Sequence, residues 1–539
     1  MSVSEDPKGD DLAAADIATA APAPRRSARA GGRQARREMR AAPLTEDIKP
    51  VRPGLSGDTY KPLSDADVEK VHEAVLDVLE NIGLSQATPT CQAACEKVGA
   101  IMGDDGRLRF PRQVVLDTIK NANRSFAVHG RDPKYDLHPQ GNQVHFGTAG
   151  AAVHVVDVEK NEYRESYLKD LYDAARIVEG LDNIHFFQRP MVARDVVDPY
   201  ELDMNTLYAS LKGTTKHVGT SFTLAEYVPD ALKMLYKIAG GEEKFRERPF
   251  VSNSNCFVVP PLRFAPDATD VLEACVHGGM PVLLLSAGQA GATAPAAIAG
   301  AVVQATAEVL AGLVFVNALV PGHPAIFGTW PFVSDLRTGA MSGGSGEQAL
   351  LTAACGQMAN YYDLPGGSAA GMCDAKMPDI QAGWEKGIAY VLAGMAGTNI
   401  VYEAAGMHAS LMGFCLESLF LDNDALGQAL RCVRGIEVND TTLSLDAMRD
   451  VCMDGPGHYL GHGQTLELMQ REYLYPDLAN RFSPKEWAEL DKPDIVQLAI
   501  ERKRKVLSEF FPEHLDQATD DWIRENYTIH LPLEDVKAS

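Results

Sequence analysis

What the sequence lacks narrows its identity first. Its nine cysteines include no CxxC pair, so neither a zinc ribbon nor a thioredoxin-type motif is available. Basic residues are in deficit. Fifty Lys and Arg against 73 Asp and Glu leave a net charge of −23 and an isoelectric point near 5.0. That balance excludes a general nucleic-acid binder, which needs a basic face. The amino terminus, MSVSEDPKGDD followed by an Ala/Pro/Arg tract, has no apolar core of a secretory signal. Reduced thiols in the cytoplasm are therefore the simpler expectation. No HExxH, GxSxG or GxxxxGKS/T occurs, and no GxGxxG follows the first strand, which removes the usual signatures of zinc hydrolases, serine hydrolases and nucleotide binders.

What is present is an acidic body with a small basic arm. Residues 1–50 hold nine Lys/Arg against eight Asp/Glu, so this stretch is +1 and residues 51–539 carry −24. Within it, 24–40 has seven Arg and one Glu. Residues 1–57 read as a flexible arm, either simply solvated or a dock for an acidic partner. From Ser64, an N-cap with Asp65 and Asp67 in the first turn, Val68, Val71, Val75, Leu76, Val78 and Leu79 recur at helical spacing up to Gly83. Residues 58–140 are expected to form a helical N-terminal subdomain, with further helices near 90–98 and 112–121.

A rhythm then sets in. Short β-like runs lie at 143–147 (with 152–156), 184–191, 216–222, 249–258, 281–286, 325–329, 364–370 and 398–403. Helical patterns follow them at about 167–180, 199–212, 224–239, 266–278, 294–313, 344–362, 378–395 and 410–432. Apolar strands alternating with helices imply a parallel sheet covered on both faces. Eight such units predict an α/β fold, a (β/α)8 TIM barrel over 141–440, with a doubly wound open sheet as the alternative. Residues 441–539 are expected as a helical C-terminal extension. The most apolar stretch, 281–321, is interrupted by Gln289, Pro295, Gln304 and Glu308, so it reads as a buried strand and helix rather than a membrane span.

In a barrel the chemistry sits at the C-terminal ends of the strands. Those positions hold Gln188 and Arg189, Thr220 and Ser221, Asn253, Asn255 and Cys256, Ser286 and Gln289, Thr329, Trp330 and Phe332, Cys373, Asp374 and Lys376, and Tyr402, Glu403 and His408. The set is rich in amides, hydroxyls and aromatics. It lacks the dense carboxylate and histidine cluster that a hard metal needs, so no metal site is expected. His458 and His462 have i,i+4 spacing, but Gly457, Gly461 and Gly463 argue against a regular helix there, and ordinary hydrogen bonding is the simpler reading. Cys373 beside Asp374 and Lys376 is either an activated nucleophile or a buried structural thiol. Trp330, Phe332 and Tyr402 form either an aromatic box for a quaternary ammonium or plain mouth packing. Glu403 and Asp374 are the candidate catalytic carboxylates.

Several segments then resemble the trimethylamine methyltransferase (MttB) superfamily. They are GGRQARRE (31–38), HFGTAGAAVHVVDVEKNEYRESYLKDLYDAARIVEGLDNIHFFQRPMVARDV (145–196), FGTWPFVSDLRTGAMSGGSGEQALLTAACGQMANYYDLPGG (327–367), DAKMPDIQAGWEK (374–386) and HYLGHGQTLELMQREYLYPDL (458–478). The resemblance implies a TIM barrel that moves a methyl group from a methylated amine to a corrinoid (cobalamin) carried by a partner protein, in a homo-oligomeric cytoplasmic enzyme. The founding members carry pyrrolysine in the catalytic centre. This chain does not, and the equivalent place falls around 373–381. The departure moves the expected substrate from trimethylamine to a quaternary amine such as glycine betaine, proline betaine or carnitine. A quaternary ammonium leaves as a neutral amine and needs no general acid, so the protein has only to orient one methyl and exclude water. The substrate-binding candidates are Trp330, Phe332, Tyr402, Arg337, His408, Asn255 and Gln188. Arg189, Arg337, His408 and Asn255 are the candidate donors to a betaine carboxylate. A non-catalytic betaine-binding barrel, a trimethylamine or other methylamine methyltransferase, and a folate-type acceptor are the competing expectations.

Overall fold

A computed structural model describes residues 49–453 and 455–537. Most of the basic arm therefore lies outside the described residues. Two compact units are found, one containing Val438–Tyr473 and the other Lys49–Glu437 with Leu474–Ser539. The extension expected over 441–539 is thus divided: its first third stands as a unit of its own, and the rest belongs with the main body.

The N-terminal subdomain follows from its caps. Ser64 Oγ accepts the Asp67 N–H at 3.3 Å and starts the helix Asp65–Asp77, and Gly83 at φ +65° stops its continuation. Helices Pro89–Lys97 and Arg112–Asn121 follow, with a small antiparallel sheet of Leu84–Ser85, Ile101–Met102 and Arg107–Arg109 that the hydrophobic pattern did not announce. Each of these strands is two or three residues long, too short for a period-2 signal.

The main body alternates strands and helices. The strands are β1 (Gln143–Phe146), β2 (Phe187–Gln188), β3 (Val218–Thr220), β4 (Val251–Asn255), β5 (Val282–Ser286), β6 (Ala325–Thr329), β7 (Gly366–Ala369) and β8 (Ile400–Tyr402). The helices that follow them are α1 (Leu168–Glu179), α2 (Pro199–Gly213), α3 (Val228–Ala239), α4 (Pro266–His277), α5 (Ile298–Leu319), α6 (Gly346–Tyr361), α7 (Ile380–Met395) and α8 (Leu416–Arg434). Asp198, Ser345 and Asp379 cap α2, α6 and α7 by accepting the N–H of Glu201, Gln348 and Ala382. Helix α5 is long and apolar enough to cross a membrane by length and composition, but 78% of that window is buried in the protein. Its Glu308 accepts from Ser286 Oγ and the Leu262 N–H.

All eight strands run parallel, in the order β1-β8-β7-β6-β5-β4-β3-β2, with Leu55–Ser56 added antiparallel to β1. The result is a mixed α/β fold with a curled nine-stranded sheet, and its regular ladder does not close as a TIM barrel's does. Leu55 and Ser56 take the hydrogen bonds of Val144 and Gln143, so β2 reaches β1 only beyond them. There the edges meet at the parallel bridge Gly147 to Phe186, with the His185 N–H donating to Phe146 O at 2.6 Å, and a second bridge, Ala152 to Met191, joins the segments beyond. The second run expected beside β1, 152–156, belongs to a separate sheet: His154–Asp157 pairs with Glu162–Glu165 and Gly413–Phe414.

Register sorts the side chains. Phe327 packs on Tyr362 at the end of α6, and a Cβ at Gly366 would meet Ala359 of α6 at 2.6 Å. Phe327, Gly366 and the residues level with them therefore face the helices. The alternate row faces inward. A Cβ on Gly367 would meet Ile326, Tyr402 and Leu283, so these three line the interior with it.

Candidate functional site

The inward row carries different chemistry at the two ends of the strands. At the N-terminal ends sit two buried histidines of that row, His145 and His217, with buried His185 beside His145 at the seam. His145 Nδ1 is hydrogen-bonded to Asn399 O at 3.0 Å, His185 Nδ1 accepts the Phe146 N–H at 3.0 Å, and His217 bonds His129 O and Ser252 Oγ, both at 2.8 Å. Burial holds His145 and His217 down at about 4, and His185 well below its usual range. These rings are neutral and structural.

The C-terminal ends hold the reactive-looking groups. Tyr402 is the hub of an aromatic cluster, with the rings of Trp330 and Phe186 each centred 5.1 Å away. All three are buried. Backbone bonds fix them: the Trp330 N–H donates to Ser286 O at 2.9 Å, and the Ala370 N–H to Tyr402 O at 2.9 Å. Next along β8, Glu403 breaks the strand with φ +58°, in the left-handed region that non-glycine residues rarely occupy. Its carboxyl is buried, and Oε2 has no partner. Burial alone pushes it up to about 8. The indole Nε1 of Trp330 is likewise buried without a partner. Strained backbone, an unsatisfied acid and clustered aromatic faces at one strand end are the marks of a functional site. Gln188 is on the inward row too: its Oε1 lies 1.5 Å from where a Cβ on Gly219 would stand.

The remaining predicted residues go elsewhere. Asn255 is level with Leu284, and Leu284 with Phe327, so Asn255 belongs to the helix-facing row, as do Asn253 and Thr220, which are level with each other. Arg337 lies on an exposed loop, its side chain 89% accessible and paired with Asp335 at 2.9 Å. Both nitrogens of His408 are engaged, Nε2 with Ser418 Oγ at 2.7 Å and Nδ1 with Cys373 Sγ at 3.3 Å. Cys373 is fully buried and its thiol is pushed up to about 12 by desolvation, which makes it a structural thiol rather than a nucleophile. Asp374 accepts from Ser342 Oγ (2.8 Å), the Gly343 N–H (2.8 Å) and Ser410 Oγ (2.6 Å). It ties together the loops after β6, β7 and β8, and its oxygens are occupied. Phe332 is buried in a two-residue ladder with Gln289, beyond the ends of β5 and β6. Among the described residues no group of three His, Cys, Asp or Glu is arranged to hold a metal.

Phe186 was missed by strand-end reasoning. Its signal was the alternation Ile184, Phe186, Gln188, which places it on the row of Gln188. Register alone could not give its contact with Tyr402, because that contact crosses the seam between β1 and β2.

Comparison with known proteins identifies the family. Residues 29–530 match the family described as trimethylamine methyltransferase (MTTB). The chain is 30% identical over 463 residues to the trimethylamine methyltransferase MttB of Methanosarcina thermophila, covering 84% of this chain and 94% of that protein. It is 29% identical over 465 residues to the MttB of Desulfitobacterium hafniense, covering 86% and 92%. It is 28% identical over 464 residues to the glycine betaine methyltransferase of the same species, covering 86% and 95%. Among solved structures, the monomethylamine methyltransferase MtmB of Methanosarcina barkeri covers 84% of this chain at 13% identity, with a TM-score of 0.45.

Proposed function

Because this chain belongs to the trimethylamine methyltransferase (MTTB) family, and so to the methyltransferases, we propose that it moves a methyl group from a quaternary amine of the glycine betaine, proline betaine or carnitine type to a corrinoid carried by a separate protein. The curled sheet then works as a (β/α)8 barrel whose mouth is the C-terminal ends of the strands. The observation that carries the reading is Glu403: a buried carboxyl with a free Oε2, on the residue that follows Tyr402 of the Trp330–Tyr402–Phe186 cluster. A carboxyl with no partner is neutral at pH 7 here, and a bound cation is what would ionise it. Aromatic faces attract a quaternary ammonium without needing an N–H to donate, each worth about 0.5–2 kcal/mol. One methyl is thereby oriented, water is excluded, and the amine leaves neutral, so no general acid is required. The cobalt is the acceptor and supplies the nucleophile; this chain's residues bind and orient the donor.

The test is reconstitution with reduced corrinoid proteins and a panel of glycine betaine, proline betaine, carnitine and trimethylamine, following methyl-cobalt absorbance. Methylation with a quaternary amine is expected. Absence of signal across the panel, with tight binding in calorimetry, favours the non-catalytic betaine-binding alternative. The relatives named trimethylamine methyltransferases keep trimethylamine as the second substrate reading, and methylation with it alone overturns the first.

A further inference from the structure

Two helices of the main body, α5 and α7, are apolar nearly all round. A helix of that kind belongs in an interior. The outer face of α5 lies under the N-terminal subdomain, whose helices Asp65–Asp77, Pro89–Lys97 and Arg112–Asn121 pack against it. Helix α7, IQAGWEKGIAYVLAGM, has two charged residues, and both are engaged within the chain. Glu385 accepts the Asp374 N–H at 2.7 Å and Gln381 Nε2 at 2.8 Å. Lys386 is buried and pairs with Asp422 at 2.7 Å. Helices α6 and α8 pack on the two sides of α7, and its outer face stays open. Ile380 is 82% exposed, Trp384 57% and Ile388 51%. Their spacing of four residues puts them on one stripe. Between them, a Cβ on Gly383 or Gly387 would meet nothing within 4 Å.

The place and chemistry of this face select its occupant. Helix α7 follows β7, so it starts at the C-terminal ends of the strands and runs down the flank of the sheet. Ile388 lies eight residues after Ile380, about 12 Å further from the mouth. A methyl acceptor standing over the mouth would reach Ile380 and leave Ile388 in water, whereas a body beside the flank covers both. The face is uncharged on a chain of net charge −23. Two acidic copies can therefore meet along it without opposing like charges. An uncharged apolar face is also complementary to itself, as a two-fold contact requires. The 16 residues of α7 span about 24 Å. That is close to the width, roughly 28 Å, of a square patch of about 800 Å², the share of each partner in a standard interface.

We propose that a second copy of this chain covers the face, the two α7 helices packing antiparallel across a two-fold axis. An axis between Trp384 and Gly387 places Trp384 of each copy over Gly387 of the other, Gly383 against Ile388, and Ile380 against Val391. Glycine inside an exposed helix weakens it. Here the missing Cβ leaves room for the opposing indole and isoleucine, a use that no contact within the chain gives it. The inference goes beyond the methyltransferase reading and does not rest on it, since no residue of the mouth takes part.

The experiment is sedimentation of the full-length protein over a concentration series. Wild type is expected at twice the 58.3 kDa chain mass or more. Trp384→Glu and Ile388→Glu each bring a carboxylate close to its own counterpart across the axis, and each should raise the dissociation constant about tenfold or more. Both side chains are exposed in the single chain, so the dilute variants should melt with dilute wild type. Gly387→Leu adds apolar surface but fills the space for the indole, so it too should weaken pairing, where general stickiness would strengthen it. A wild type that stays monomeric at the highest concentration, glutamate variants that pair as tightly as wild type, or a Gly387→Leu that pairs more tightly overturns the proposal. An independent measurement needs no variant: hydroxyl-radical oxidation of Trp384, read by peptide mass, should be slow in concentrated protein and rise several-fold on dilution. Equal oxidation at both concentrations overturns it as well. Protection that appears only on adding a corrinoid protein assigns the face to the methyl acceptor and overturns the pairing of copies.

Discussion

Glu403 combines three costs at one residue: a left-handed backbone, a buried carboxyl and a free oxygen. Its carboxyl sits at about 8 because of burial, against about 4.3 in an unfolded chain. A carboxyl raised in the folded state favours folding below its unfolded value and loses that contribution as pH rises towards about 8. The same carboxyl must ionise to hold a cation, so affinity for tetramethylammonium should rise with pH up to and through about 8. Binding at pH 7 should release up to one proton, seen as a buffer-dependent enthalpy in calorimetry. Glu403→Gln should flatten both dependences. A pH-independent wild-type affinity would remove Glu403 from the cation site. Trp330→Ala should weaken cation binding by about 1–2 kcal/mol, from the loss of one face. Trp330→Phe should recover most of that, with thermal melting to separate affinity from packing loss. At this scale the sequence put Trp330, Tyr402, Glu403 and Gln188 at strand ends, and that is where the strands end. It also nominated Asn255, Arg337 and His408, which the structure turns to the helix layer, to solvent and to Cys373 and Ser418. Which way a residue points just past a strand end depends on register and loop path, and neither leaves a periodic trace.

Whole elements were the most legible level. Apart from the 152–156 part of the first, each of the eight apolar runs holds a parallel strand and each following pattern a helix, because a covered parallel sheet needs continuous apolar runs and its helices need one apolar stripe. Their ends are held by buried polar groups that periodicity does not report. Lys216 donates to Val178 O, Leu181 O and Ile184 O at 2.6–2.7 Å, closing the C-terminal end of α1. Lys216→Met leaves these carbonyls without that donor and should cost about 2–4 kcal/mol in urea denaturation. Asp424 of α8 similarly accepts the N–H groups of Asp477, Leu478 and Ala479 at 2.8–2.9 Å. That contact helps explain why residues from 474 onward belong to the main body while 438–473 do not.

At the scale of the whole molecule, the seam between β1 and β2 is the vulnerable place. A Cβ at Gly147 would lie 2.5 Å from the Phe186 ring, and Phe186 in turn supports Tyr402. Gly147→Val should therefore cost about 1–3 kcal/mol by overpacking and also lower affinity for a quaternary cation. Denaturation and calorimetry on the same variant check both, and a stability loss with unchanged binding would uncouple seam from site. The net charge of −23 belongs to this scale as well, since an acidic body does not repel a small cation.

The alternation of strands and helices, the acidic charge and the family are legible in the chain alone, because hydrophobic period, capping residues and local motifs are properties of neighbours along it. The three-dimensional fold alone sets that Leu55–Ser56 enters the seam and that Phe186 meets Tyr402. Those are relations between residues far apart in the chain, and they are set by how a curled sheet brings its edges together.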